Sequence, residues 1–407
     1  MSAVSLTAED SRLSRAFWRF WLASGIDHVG KGAYVAAVPL LAAAITPDPR
    51  LLTVVSTAAY LPWLLLSLPA GTIVDRYNRV TLMWRAQLVA AATVTTTTVL
   101  VVLGRVDIIT LAILAFVLGA CDVVFGNAAQ AVLPDMVPDR LLHRANGNQQ
   151  VALTVGYQFA GPPLGSALFA VSAALPFGVE ALSFVVSASL LATLPKGGHQ
   201  QFEQLPMRAA IASGIRWLAR HRLLRTLAML VAVNTFCWQL ANATLVLLVT
   251  RELGVGVSAF GLVLALAALG GIVGGLVNTR LVRRVGAATG LVGPLVIGVL
   301  AYAGAGWAPN PVALGICLAI SGFGTTLFNV VSVTLRQQMV PATMRGRVNS
   351  VYRMLAWGLI PFGTLASGLV AYELGLRVPY QLAAAVRAVV LVAALPVLIS
   401  AMRQHRS

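Results

Sequence analysis

Asp27 and Lys31 stand one helical turn apart inside an apolar stretch of the chain, and Asp122 stands alone inside another. Ionisable groups at such depth are costly and mark routes for ions or protons. An acid and a base at i and i+4 share one helix face. Asp27 is therefore read as a protonatable carboxylate whose proton affinity is set by Lys31; the alternative is a permanent pair that neutralises itself. No charged residue lies within a turn of Asp122. It must face a cavity, meet a partner on another helix, or carry a proton. Asp27, Lys31 and Asp122 are thus the candidate proton-coupling groups. His28 falls on another face and reads as a hydrogen-bonded packing residue. Glu180 falls near the outer end of its apolar run, within reach of an interface, and reads as structural. Arg387 lies well inside the last run, as a counter-charge or as a side chain that snorkels outward.

The elements that carry these groups are membrane spans. Hydrophobic residues make up 58% of the 407 and charged residues 10%, far from the balance of a soluble domain. Apolar runs recur at about 20 residues, the length that crosses the hydrocarbon as a helix. The alternation of a membrane barrel is absent. Twelve spans are predicted: 16–44, 51–74, 80–103, 108–133, 147–171, 174–194, 226–250, 257–279, 287–307, 311–335, 350–373 and 378–402. Cys121, Cys237 and Cys317 all lie in spans, with no metal-ligand spacing. No Walker, HExxH or flanked GxSxG motif is present. The expectation is a non-enzyme with no catalytic residue, no metal and no cofactor, in which ATP-driven pumping would need a separate subunit.

The chain repeats itself. Met136-Val137-Pro138 with Arg144 and Asn146 recurs 203 residues later as Met339-Val340-Pro341 with Arg347 and Asn349. At the same offset Gly71 falls on Gly274, Gly119 on Gly322, Phe125 on Phe328 and Gly165 on Gly368. Two parallel halves in a membrane protein point to a transporter with its site on the pseudo-twofold axis. The predicted organisation is an all-α membrane protein of two six-helix pseudo-symmetric bundles: 1–195, a cytoplasmic linker 196–225, and 226–407. Within the linker, Met207 to Leu227 places Ile211, Ile215 and Leu218, with Leu223 and Leu224, at helical spacing among Arg208, Arg216, Arg220 and Arg222. That predicts a basic amphipathic helix at the membrane surface; a partner-binding helix is the alternative.

The net charge of +16 is spread over alternate connections rather than one face, which argues against nucleic acid. Arg12, Arg15 and Arg19 precede the first span, Arg76, Arg79 and Arg85 follow the second, and Arg140 and Arg144 follow the fourth. Arg280, Arg283 and Arg284 follow the eighth, and Arg336, Arg345 and Arg347 the tenth. The opposite connections hold only Arg50, Arg105, Arg251 and Arg377. The positive-inside rule then puts both termini in the cytoplasm. With Asp27 and Lys31 inside it, the first apolar stretch does not read as a cleaved signal peptide.

After the second span the chain reads Gly71-Thr-Ile-Val-Asp75-Arg76-Tyr-Asn-Arg79. This resembles the G-x-x-x-D-R-x-x-R signature of the major facilitator superfamily. The resemblance implies that Gly71, Asp75, Arg76 and Arg79 form a cytoplasmic gate. Glycine permits close helix approach, and the acid pairs with basic groups and helix ends of the neighbouring bundle. The second copy, Gly274 to Arg280, has Asn278 in place of the acid. Leu133-Pro134-Asp135-Met136-Val137-Pro138 with Arg144-Ala145-Asn146, and Arg345-Gly346-Arg347-Val348-Asn349 with Tyr352-Arg353, resemble the branch that holds enterobactin exporters and macrolide efflux proteins. A further fragment, Gly156 with Gly161-Pro162-Pro163-Leu164-Gly165, resembles the antiporter motif of helix 5, with one residue more between the first two glycines. Gly-Pro also simply kinks and packs helices. The arginine that the superfamily usually carries in helix 4 is missing.

In that fold helices 1, 4, 7 and 10 line a central cavity. Its candidate residues are Tyr34, Asn127, Gln130, Asn234, Trp238, Asn242, Asn329 and Arg353, each with helix–helix hydrogen bonding as the alternative. The expected function is proton-coupled antiport that exports a drug or secondary metabolite. Expected partners are a small organic substrate and the lipid bilayer, for a monomer in the cytoplasmic membrane. An importer of a nutrient or siderophore, and a non-transporting scaffold or sensor, are the alternatives.

Overall fold

The computed structural model describes residues 13–195, 207–341 and 344–404. Among them are helices and no strands. In order they are α1 (Arg15–Ile45), α2 (Pro49–Arg76), α3 (Arg79–Val102), α4 (Ile108–Met136), α5 (Asp139–Ala152), a π-helical segment (Leu153–Ala160), α6 (Gly161–Val171), α7 (Leu175–Ala192), α8 (Met207–Arg220), α9 (Arg222–Asn242), α10 (Leu245–Leu247), a second π-helical segment (Leu248–Glu252), α11 (Val257–Gly306), α12 (Pro311–Met339), α13 (Arg345–Gly358), α14 (Ile360–Leu374) and α15 (Val378–Gln404). Ten stretches are long and apolar enough to cross a membrane, and Gly290–Gly306 is a shorter apolar helix.

The sequence repeat is also a repeat of local structure. α4 and α12 are each 29 residues long, and the second begins 203 residues after the first. Their caps repeat as well. Asp107 accepts a hydrogen bond from the Thr110 backbone N–H at 2.7 Å, and Asn310, its equivalent, accepts one from Ala313 at 2.8 Å. Each side chain satisfies a donor that the first helical turn leaves orphaned. The Thr110 N–H holds the Asp107 carboxyl below its usual range. α7 and α15 likewise start at equivalent positions, Leu175 and Val378.

By packing, the described residues fall into two compact units. One is drawn from Met1–Ala37, Leu65–Val106 and Val117–Gln201, the other from Val38–Leu64, Asp107–Phe116 and Phe202–Ser407. Phe17, Phe20, Met83, Phe125, Leu133 and Leu191 form much of the first core. There α1 crosses the π-helical segment and α6 at backbone contact. A Cβ on Gly161 would lie 2.5 Å from the Gly32 Cα, and one on Gly165 would lie 2.6 Å from the Ala33 Cα. The Gly161 N–H reaches back five residues to the Gly156 carbonyl, so the π turn absorbs the extra residue of the glycine-proline fragment. Gly156 consequently still faces α1, with His28 beside it.

This crossing supplies a first prediction. Gly165→Leu should lower the melting temperature sharply, since overpacking against backbone costs about 1–3 kcal/mol or more. Gly178→Ala, at a position with nothing within 4 Å, should leave it unchanged. Equal melting temperatures for the two variants would show that the crossing tolerates a side chain.

In the second unit Leu224, Leu227, Phe328, Val348 and Leu398 are core residues. α11 covers 50 residues, where the charges of Arg280, Arg283 and Arg284 predict a connection. Its neighbours show that it reverses. Cβ atoms at Gly270 and Gly274 would meet Ala319 and Phe323 of α12, in rising order, whereas Gly324 faces Pro294 and Ile297, and Gly304 faces Cys317. The two apolar stretches of α11 therefore run in opposite directions along α12, and the chain turns back between Gly274 and Pro294. The linker helix also differs from expectation. It ends at Arg220, and Leu224 and Leu227 turn into the core of α9 instead of lying on a surface. His221 is extended at the break, its ring stacked on Trp217 at 3.8 Å. Ile211 lies outside the described side chains.

Three of the four sparse arginines of the opposite connections, Arg50, Arg251 and Arg377, have partners. Arg50 pairs with Asp48 at 2.9 Å and covers the Tyr372 ring at 3.6 Å. Arg251 donates to the Ala43 carbonyl at 3.2 Å, and Arg377 pairs with Glu252.

Candidate functional site

Three helices of the first unit converge on Lys31. Its ammonium lies 3.0 Å from Asp27 on its own helix and 2.7 Å from Asp122 on α4. The i,i+4 spacing accounts for the first contact; the second comes only from packing α1 against α4. Phe125 and Phe184 present ring faces to the ammonium at 4.9 and 5.6 Å, which favours a cation in an otherwise apolar wall.

The two aspartates differ in their surroundings. Asp27 is fully buried, and its other oxygen accepts a 2.8 Å hydrogen bond from the Gln87 amide of α3. The same amide reaches Ser187 of α7 at 3.1 Å. Asp122 keeps one third of its side chain exposed (33%). One carboxylate is thus enclosed in a hydrogen-bonded interior while the other is partly exposed.

Glu180 belongs to the same nest. The structure buries it fully rather than placing it at an interface. Ser183 donates to it at 2.9 Å, and its Oε1 has no hydrogen-bond partner. Gly30 makes this possible: a Cβ there would lie 2.9 Å from the Ser183 Cβ and overlap the carboxylate. Asp27, Lys31 and Asp122 are all within electrostatic reach of Glu180. Two carboxylates touch the lysine and a third lies within its electrostatic reach, an excess of two negative charges when all are ionised. Gln87, Ser183 and Ser187 escaped the sequence reading. Their one visible signal was a polar side chain in an apolar run, Ser183 and Ser187 sharing a face with Glu180.

The other sequence candidates are placed as follows. Gly161, Pro162 and Gly165 are buried at the α1 crossing. Arg79 donates to the Ala131 carbonyl at 3.0 Å, tying the start of α3 to the last turns of α4. Arg76 follows Asp75 at the end of α2; the surroundings of Gly71 and the side chains of Asp75 and Arg353 lie outside what the structure describes. Tyr34 meets Phe177 edge to face at 5.8 Å. Asn127 donates to its own helix at Val123. In the second unit Asn242 bonds Tyr302 and Tyr380, each at 3.3 Å, while Trp238 and Asn329 are exposed. Among the described residues no group of acids, histidines and cysteines is arranged for a metal ion.

Comparison with known proteins places this architecture. Residues 12–407 match the family described as transmembrane secretion effector. The chain belongs to that family, within the major facilitator superfamily. It is 27% identical over 365 residues to the multidrug efflux pump Tap of Mycolicibacterium fortuitum, covering 86% of this chain and 88% of the pump. It is 23% identical over 344 residues to the staphyloferrin A transporter of Staphylococcus aureus, covering 80% and 82%. Its fold matches the nucleoside transporter NupG with a TM-score of 0.73 at 12% identity, over 94% of this chain and 99% of that one. The protein is therefore a multi-pass membrane transporter and not an enzyme.

Proposed function

We propose that this transporter is a proton-coupled exporter of drugs or a secondary metabolite. The observation that carries the reading is the nest around Lys31. Carboxylates in excess of cations at membrane depth need a balancing charge, and a proton is the smallest that serves. Asp122 exchanges the proton with the open side, and Asp27 and Lys31 relay the change in charge into α1. The π turn and the Gly161-Pro162-Gly165 crossing let α1 move against α6. The likeness to multidrug efflux pumps supports export.

In this reading the ten spans become twelve. The stretch through α5, the π turn and α6 forms the fifth, and Gly290–Gly306 the ninth. The halves are 1–195 and 226–407, joined by 196–225, and they rock about a midplane site as a monomer, with both termini in the cytoplasm. Uptake of candidate drugs into everted vesicles tests the scheme. Accumulation driven by an acid interior and abolished by a protonophore is expected; accumulation indifferent to the gradient refutes coupling. The staphyloferrin relative gives import a specific footing, and accumulation in right-side-out vesicles alone would favour it.

The gate gives a second prediction. Asp75 stabilises the state closed to the cytoplasm, so Asp75→Asn should shift the population toward inward-open by about 1–3 kcal/mol. Labelling of cysteines introduced in the cytoplasmic cavity should rise. Unchanged labelling with normal transport would remove Asp75 from the gate.

A further inference from the structure

The nest in the first unit has a counterpart in the second, with its charge inverted. At the 203-residue offset Asp27 corresponds to Leu230, Lys31 to Asn234, Asp122 to Thr325, Phe125 to Phe328, Phe184 to Arg387 and Ser187 to Val390. All six of these second-unit residues line one cavity of about 20 Å³. The repeat has preserved the location and replaced the chemistry. The acids have become apolar or neutral, and the single ionisable side chain among the six is Arg387.

Arg387 is more than nine-tenths buried, and a guanidinium does not shed its proton. Among the described residues no carboxylate lies within ion-pair distance of it; Asp48 and Glu252 are engaged by Arg50 and Arg377. Its Nη2 donates a long 3.3 Å bond to the Asn234 carbonyl, and the Cys237 thiol also meets it. The Tyr302 ring lies 4.0 Å beneath its centre. Its Nε is buried with no acceptor. Gly298 leaves the space that the group needs, since a Cβ there would come within 3.1 Å of Nη1.

We propose that this cavity is a binding site for a small monovalent anion of the chloride class. A volume near 20 Å³ holds one water or one halide-sized ion. An anion there supplies both missing features, an acceptor for the guanidinium and a counter-charge in a low-dielectric surround. The site is independent of the proton-handling nest, and its test does not depend on transport.

The test heats purified full-length protein in lipid nanodiscs, in sodium chloride and in sodium gluconate of equal ionic strength. Chloride should raise the Tm by about 1–3 °C. Arg387→Gln should erase the difference, and Arg387→Lys, which keeps a positive charge, should retain part of it. Equal Tm values in the two salts for the wild-type chain overturn the proposal. An undiminished chloride shift in Arg387→Gln does so too, because the anion then acts elsewhere. If Arg387→Gln does not fold, bromide-soaked crystals of the wild-type protein decide. An anomalous peak beside the guanidinium supports the site, and no peak there overturns it.

Discussion

Replacing Asp122 by Asn should remove most uphill transport while leaving downhill substrate exchange intact. Asp122 is the exposed carboxylate of the nest, and it holds Lys31 at 2.7 Å. The amide keeps the shape and a hydrogen-bond acceptor but carries no exchangeable charge. Substrate passage needs only the conformational cycle, whereas concentration against a gradient needs the proton. The expected loss of gradient-driven accumulation is about 5- to 150-fold, the span of a typical coupling free energy. Asp27→Asn should be more damaging to folding, because Gln87 and Lys31 both point at a fully buried carboxylate. Transport assayed in everted vesicles and by counterflow separates the two effects. If both Asp27→Asn and Asp122→Asn retain full accumulation, the proton is carried elsewhere, and Glu180→Gln becomes the variant to measure.

Lys31→Met should have the largest effect on stability. Methionine fills much the same volume, but it leaves Asp27, Asp122 and Glu180 facing one another without a cation. Removing one partner of a buried ion pair costs about 3–5 kcal/mol, and the excess negative charge adds to it. The protein should melt many degrees lower or fail to accumulate in the membrane. The double variant Lys31→Met with Asp122→Asn should recover part of the loss, and the recovery measures the coupling between the two positions. A Lys31→Met protein as stable as the wild type would mean that the carboxylates are already neutral without the lysine.

Much of this architecture was legible in the sequence, and particular residues show where legibility stopped. The spans follow from the length of apolar runs, and the Asp27–Lys31 contact follows from helical spacing. The 203-residue offset carried through to helix ends and caps. The Lys31–Asp122 pair was only one of three fates open to Asp122, because sequence does not state which helices touch. Glu180 was misplaced for a related reason. Depth along a span does not say which way a side chain turns, and the space for this carboxylate is made by Gly30 on another helix. The turn inside α11 was readable from Arg280, Arg283 and Arg284, which separate its two apolar stretches. The amphipathic pattern after Met207 was extended too far, since leucines that suit a membrane surface suit a protein core equally well.

The π turn before Gly161 has a consequence for how such helices are compared. Each residue of an α-helix advances the chain by about 100° around its axis. An inserted residue would ordinarily swing Gly161, Pro162 and Gly165 away from α1. Here the widened turn converts the insertion into girth, and the register on the far side is unchanged. A search for glycines at a fixed spacing passes over this segment, while a comparison of surfaces finds it intact. Deleting one residue between Gly156 and Gly161 would shorten the text without moving the face it presents.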